Sequence, residues 1–275
     1  MTTVMRPEIA RSIRTGDFLT NYHDEGTGAP VVLMHGSGPG VTAWANWGLV
    51  IPRLSPSRRV IAPDLVGFGY TERPDGVRYD MTTWTRQVLD LIDALELERV
   101  DLVGNSFGGG LALRLAIDHP DRINRIVLMG SAGVSFPITE GLDFVWGYRP
   151  SVENMARAIS IFVDNKALAT EDLIEMRYRA SIEPGFQESF SAMFPEPRQE
   201  GVESLASDEA DIRRIPHQTL IVHGREDQVI PLDNAYRLLQ LIDQSQLHVF
   251  GHCGHWTQIE QNERFCRLVN DFLAE

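Results

Sequence analysis

Val100-Asp101-Leu102-Val103-Gly104-Asn105-Ser106-Phe107-Gly108-Gly109-Gly110 is the stretch that decides the fold. Its first residues read as a strand buried on both faces, which runs into Gly-x-Ser-x-Gly and then straight into a segment, Gly109 to Ile117, with helical apolar spacing. A strand that turns this sharply into a helix leaves no room for side chains beside the central serine, whose own backbone is strained, so the flanking glycines are required by sterics. The turn lifts the Ser106 hydroxyl to the C-terminal edge of a sheet, where open α/β folds bind ligands, and aims the first helical amides at the reacting centre. Ser106 is therefore the candidate nucleophile.

On either side, short aliphatic runs alternate with helical segments. Val31 to Met34, Arg59 to Ala62, Ile126 to Met129, Thr219 to Val222 and Leu247 to Phe250 read as further strands covered on both faces. Trp84 to Leu95, Pro231 to Ile242 and Ile259 to Leu273 have helical spacing. This alternation predicts a mostly parallel, doubly wound α/β sheet. Phe18 to His23, ending in Glu25-Gly26-Thr27-Gly28, reads as part of an antiparallel edge hairpin. From 135 to 209 no strand-like run occurs, only helical stretches punctuated by prolines. The chain thus divides into a core at 1–134, an inserted helical lid at 135–209 and a second part of the core at 210–275.

The first core strand is followed by His35-Gly36-Ser37-Gly38-Pro39-Gly40, not by a Gly-x-Gly-x-x-Gly dinucleotide fingerprint. A His-Gly step followed by small residues at this place supplies a backbone N–H to an oxyanion hole, and the amides of Ser37 and Phe107 are the candidates. His35 is assigned to holding the loop by hydrogen bonds.

A serine hydroxyl needs a base, and the base needs an orienting carboxylate; in a Gly-x-Ser-x-Gly elbow they follow in the order serine, acid, histidine. His23, His119 and His217 lie away from strand C-termini, His223 precedes the acid, and His248 lies inside a strand. His252 and His255 fall on the loop after the last strand, and His255, behind Gly254, is favoured. Of Glu226 and Asp227 in the preceding strand-end loop, Asp227 is favoured because the two point to opposite sides of an extended segment. The candidate triad is Ser106, Asp227 and His255. His252-x-x-His255 with Cys253 between them lacks a further ligand cluster of zinc-like spacing, so neither a metal nor a cofactor is expected.

The 275 residues, 43% hydrophobic and 23% charged, suit one globular domain with an insertion. A formal net charge of −13 argues against nucleic-acid binding. Lys166 is the only lysine, so the basic side is almost all arginine. Two cysteines, Cys253 and Cys266, form no disulfide framework and fit a reducing compartment. The N-terminal residues have no apolar signal-peptide core, and the apolar runs are too short to span a bilayer. A cytoplasmic protein without membrane contact is expected.

Taken together, HGSGPGVTAWANW, GNSFGGGLAL, MGSAGVSFPITEGLDFVWGY, RYRASIEPGFQESF, HGREDQVIPL and FGHCGHWTQIE resemble the meta-cleavage product hydrolases of the α/β-hydrolase superfamily over nearly the whole chain. Within that family the chain is most similar to the branch acting on 2-hydroxymuconate semialdehyde and alkylbenzene-pathway dienoates. It is less similar to the biphenyl branch, where the place of Phe107 is usually taken by Met. The resemblance implies the α/β-hydrolase fold and hydrolysis of the C5–C6 bond of 2-hydroxy-6-oxo-2,4-dienoates, giving 2-hydroxypenta-2,4-dienoate and a carboxylic acid. It implies a carboxylate and 2-oxo clamp at Asn46, Asn105, Arg177 and Trp256, Asn105 being near the site by topology as well. It maps the pocket for the C6 substituent to Leu142, Trp146 and Val229, and predicts a small-molecule dienoate substrate with hydrogen, methyl or ethyl preferred over phenyl at C6. A homo-oligomer, dimer or higher, is expected. The rival is a carboxylesterase or lactonase with the same triad; an Asp-nucleophile dehalogenase or epoxide hydrolase is excluded by Ser106.

Overall fold

Eight strands form one sheet, ordered β1-β2-β4-β3-β5-β6-β7-β8. The computed structural model describes residues 6–275. β1 (Arg11–Thr15) and β2 (Phe18–Glu25) make an antiparallel hairpin, and β2 is also antiparallel to β4 (Arg59–Pro63). β3 (Pro30–Met34), β4, β5 (Val100–Asn105), β6 (Ile123–Met129), β7 (Thr219–Gly224) and β8 (Ser245–Phe250) run parallel. The hairpin expected around Phe18 to His23 is there, but its first strand, Arg-Ser-Ile-Arg-Thr, carries little apolar signal because it lies largely exposed at the sheet edge.

The period of two along a strand sends alternate side chains to opposite faces, and the core divides accordingly. Val32, Met34, Ile61, Leu102, Ile126, Leu128 and Ile221 pack on one face, beneath the helices Met81–Ala94, Phe107–Asp118 and Leu232–Leu241. Val31, Leu33, Val60, Val103, Val127, Leu220 and Val222 pack on the other, against Ala43–Trp47 and Asn262–Ala274. The last helix turns Phe265, Cys266, Val269, Phe272 and Leu273 inward, a stripe at helical spacing. The single helical stretch expected from Ile259 is broken at Gln261 into Thr257–Glu260 and Asn262–Ala274.

Between β6 and β7 the chain forms the helices Glu140–Trp146, Val152–Phe162, Glu171–Ser181, Phe186–Met193, Gln199–Leu205 and Glu209–Ile212, with no strand. Thr139, Ser151 and Thr170 start the first three by accepting the amides of Leu142, Asn154 and Leu173 at 3.0–3.2 Å, as N-cap hydroxyls do.

After β3 the chain crosses to β4 on one side and then returns to β5 on the other, so the order reverses between β3 and β5. Crevices for ligands open at such a point, beyond the strand C-termini. Met34 and Gly104 lie in register there, which brings the His35–Gly40 loop beside Ser106.

Candidate active site

Ser106 occupies the first turn after β5 with φ 54 and ψ −115, a conformation that costs a non-glycine residue energy and survives only where its surroundings enforce it. Its amide donates to Met129 O at 2.9 Å, and its carbonyl accepts from Gly109 and Ala132. A Cβ on Gly108 would stand 2.3 Å from Met34 O, and one on Gly104 would stand 2.3 Å from Gly108 O. The turn closes only because both lack a side chain.

Asp227 and His255 come from the loops after β7 and β8, two and three strands away from the nucleophile's strand, across β6. His255 Nδ1 donates to Asp227 Oδ2 at 2.7 Å, while Asp227 Oδ1 accepts the amides of Val229 at 2.7 Å and Ile230 at 3.0 Å. Burial alone would raise the Asp227 carboxyl, but the charge and hydrogen bond of His255, with His223 and the Val229 amide, hold it below its ordinary value. The reach across β6 depends on Gly130 at φ +50, where a Cβ would sit 3.1 Å from His255 Nδ1 and 3.3 Å from Asp227 Oδ2. Among the described residues, neither the Ser106 hydroxyl nor His255 Nε2 has a hydrogen-bond partner, and both residues line one cavity.

The adjacent Glu226 does point the other way: Oε2 accepts the Cys253 amide at 3.0 Å and the Glu226 amide donates to Cys253 O, clasping the acid loop to the base loop. His252 is exposed, with φ 54. Cys253 is buried, its thiol pushed up to about 12 by desolvation. Among the described residues no cluster of three or more His, Cys, Asp or Glu side chains is arranged to hold a metal ion.

His35 bonds at both ring nitrogens: Nδ1 donates to Gly36 O at 2.8 Å and Nε2 accepts the Leu65 amide at 3.0 Å. This anchors the loop that carries Ser37, which lines the same cavity as Ser106. Among the described residues, neither the Ser37 amide nor the Phe107 amide donates to a protein acceptor. The Phe107 ring itself is core, edge-on to Trp84.

Ser106 stands between two cavities. The larger is lined by Asn46, Asn105, Arg177 and Trp256 on its polar side, and also by Leu142 and Val229. The smaller is an apolar recess walled by Phe136, Leu142, Trp146, Val202, Leu205 and Ile230. Of the residues mapped to the C6 pocket, Trp146 lines the recess, Leu142 lines both and Val229 lines only the larger cavity. Phe136, Val202, Leu205 and Ile230 lacked any signal in the sequence, because apolar residues in loops (Phe136, Ile230) and on a short helix (Val202, Leu205) look alike whether they face core or ligand. Trp146 Nε1 donates to Ser37 Oγ at 2.9 Å and its ring stacks on Phe194, tying the inserted helices to the oxyanion loop.

Arg177 is buried, and among the described residues its one hydrogen-bond partner is a carbonyl, Ala45 O at 2.7 Å from Nη2. Its guanidinium lies 5.4 Å over the Trp256 ring, and desolvation lowers its pKa to about 10, opposed by Glu8, so it stays charged at neutral pH. Arg177 Nε, Asn46 Nδ2 and Gln258 Oε1 are all buried without a protein partner. Such groups are costly unless something else meets them, and these line or border the same cavity. Gln258 escaped the sequence reading because it precedes a helical run that reads as amphipathic packing.

The alpha/beta hydrolase fold family matches residues 29–261. A 2-hydroxymuconate semialdehyde hydrolase of a Pseudomonas species is 61% identical over 269 residues, covering 98% of this chain and 95% of the relative. A 2-hydroxy-6-oxo-2,4-heptadienoate hydrolase of Pseudomonas putida is 60% identical, covering 99% of each. The meta-cleavage product hydrolase CumD of Pseudomonas fluorescens, a serine-to-alanine variant complexed with acetates, aligns with TM-score 0.96 at 57% identity, over 97% of this chain and 98% of its own. The chain belongs to the meta-cleavage product hydrolases. As a member of that family it is a serine-dependent hydrolase. In this meta-cleavage product hydrolase the resemblance covers the helices between β6 and β7 as well as the sheet.

Proposed function

We propose that this hydrolase cleaves the C5–C6 bond of 2-hydroxymuconate semialdehyde or of 2-hydroxy-6-oxo-2,4-dienoates with a small C6 substituent. The observation that carries the reading is the bipolar site: Ser106 lies between a buried arginine, which has no carboxylate partner among the described residues, and a small apolar recess. The substrate is an anion at one end and bears hydrogen or alkyl at the other. Arg177, Asn46 and Asn105, with Trp256 alongside, take the carboxylate and the C2 oxygen. Leu142 and Trp146 in the recess meet the C6 end, with Val229 beside them in the larger cavity.

A carbanion at C5 is a poor leaving group, so the dienol is first ketonised. His255 Nε2 takes the 2-hydroxyl proton and returns it at C5, with Asp227 balancing the charge on the ring. Ser106 and the Ser37 and Phe107 amides then act on the C6 carbonyl, the amides holding the negative charge that develops on its oxygen. When C5–C6 breaks, its electrons pass through the C3–C4 double bond to the C2 oxygen, which regenerates a dienol on protonation. Water supplies hydroxyl to C6, and formate or acetate leaves with 2-hydroxypenta-2,4-dienoate.

Residues 135–209 form the lid between core segments 1–134 and 210–275 in this reading, supported by Phe162, which stacks on Trp256 and His255. Assembly into a dimer or higher oligomer and a cytoplasmic location belong to the same proposal; light scattering of the purified protein checks the first. The experiment for the activity is a kcat/KM series over substrates bearing hydrogen, methyl, isopropyl and phenyl at C6. A steep fall towards phenyl is expected, and equal values for methyl and phenyl would refute the small recess as the C6 site.

A further inference from the structure

His223 ends β7 and is fully enclosed, beside the acid loop. Its Nε2 lies 3.0 Å from Ile230 O and 3.5 Å from Asp227 Oδ2, the oxygen that also accepts His255 Nδ1. A carbonyl oxygen only accepts, so Nε2 must carry the hydrogen. His223 Nδ1 is buried without a partner among the described residues, which leaves no acceptor there for a second proton. Burial further disfavours the charged ring, opposed by Asp227 and Ile230 O. The ring is thus a neutral donor with its tautomer fixed by the backbone seven residues along.

We propose that His223 is a positioning residue for the Asp227–His255 pair: its Nε2–H ties Ile230 O back to the strand end, with the ring edge 3.5 Å from Asp227 Oδ2. The tie matters because Val229 and Ile230, whose amides orient the other carboxylate oxygen, ride on the same turn. One contact therefore holds the turn that orients Asp227 Oδ1, and with it the carboxylate, while His255 gains and loses its proton. A cationic His223 would compete with His255 for the carboxylate, which the partnerless Nδ1 prevents. Next to it, Gly224 lets the two loops abut, since a Cβ there would stand 2.0 Å from Gly254 O and 2.4 Å from Cys253 O.

The inference rests on the proposed triad, and the test separates the two. In the wild-type protein, nitrogen NMR of labelled histidine is expected to show His223 as the neutral Nε2–H tautomer; an imidazolium or an Nδ1–H ring would overturn the proposal. His223→Met is expected to lower kcat on the dienoate by about three- to tenfold, the worth of one hydrogen bond, with KM unchanged. His223→Gln, which puts an amide donor near the Nε2 position, restores most of the rate. The downfield His255 Nδ1 proton resonance moves in the Met variant and returns in the Gln variant. An unimpaired Met variant overturns the proposal, as does a folded Gln variant with the rate and the resonance lost. Should the Met variant not fold, the Gln variant and the wild-type tautomer decide. Inactive Asp227→Asn beside an unimpaired Met variant removes His223 and leaves the triad standing, whereas fully active Asp227→Asn removes the triad reading itself.

Discussion

At the scale of single residues, proton transfer and bond cleavage are assigned to different side chains, and substitution separates them. Ser106→Ala still ketonises the dienol but does not cleave it, whereas His255→Ala loses both steps; stopped-flow spectra of the dienolate and keto forms distinguish the outcomes. Arg177→Gln raises KM for the dienoate by about 10- to 100-fold, the worth of a charge-assisted hydrogen bond at roughly 1.5–3 kcal/mol, and leaves a neutral ester's KM unchanged. His35 is held neutral by burial, its pKa brought down to about 4. The unfolded ring takes a proton at its ordinary 6.5, so between these values the unfolded state binds more protons. The contribution of His35 to stability is complete above pH 6.5 and falls by up to about 3 kcal/mol as the pH drops to about 4. Urea denaturation of wild type and His35→Gln at pH 7 and 4.5 isolates it: the difference between the two proteins shrinks in acid.

At the scale of elements, the strand-to-helix turn is the feature most exposed to test. Gly108→Ala drives a Cβ to 2.3 Å from Met34 O, main chain that cannot yield, and is expected to cost about 3 kcal/mol or more. Gly110→Ala, two residues on, meets Leu205 O at 3.3 Å, and the gain in helix propensity offsets the tightness to within about 1 kcal/mol of wild type. Thermal denaturation of the pair reads the contrast. This turn was legible in the sequence because sterics leave so few residues able to make it. The parallel strands were legible as well, since burial on both faces forces an aliphatic run. β1 was not, because an edge strand with polar side chains carries no such run. His223 was set aside on chain order, a rule that separates general bases from other residues but is silent on what supports the acid.

At the scale of the molecule, the site is assembled from loops after β3, β5, β7 and β8, with β6 ending in Gly130 to leave the space between them. The inserted helices add Arg177 and the recess, and Glu260 fastens them down by accepting the amides of Gly254, Asp164 and Asn165. Which lid residues face the ligand depends on how several short helices pack together, so Leu142 and Trp146 were reachable from resemblance while Phe136, Val202 and Leu205 were not. The most direct test of the whole account is to mix purified protein with 2-hydroxy-6-oxohepta-2,4-dienoate, follow the yellow dienolate absorbance and titrate the acid released. Bleaching with one acetate per substrate consumed, far faster than hydrolysis of a simple acetate ester, is the predicted result; rapid ester hydrolysis with the dienoate left intact would contradict it.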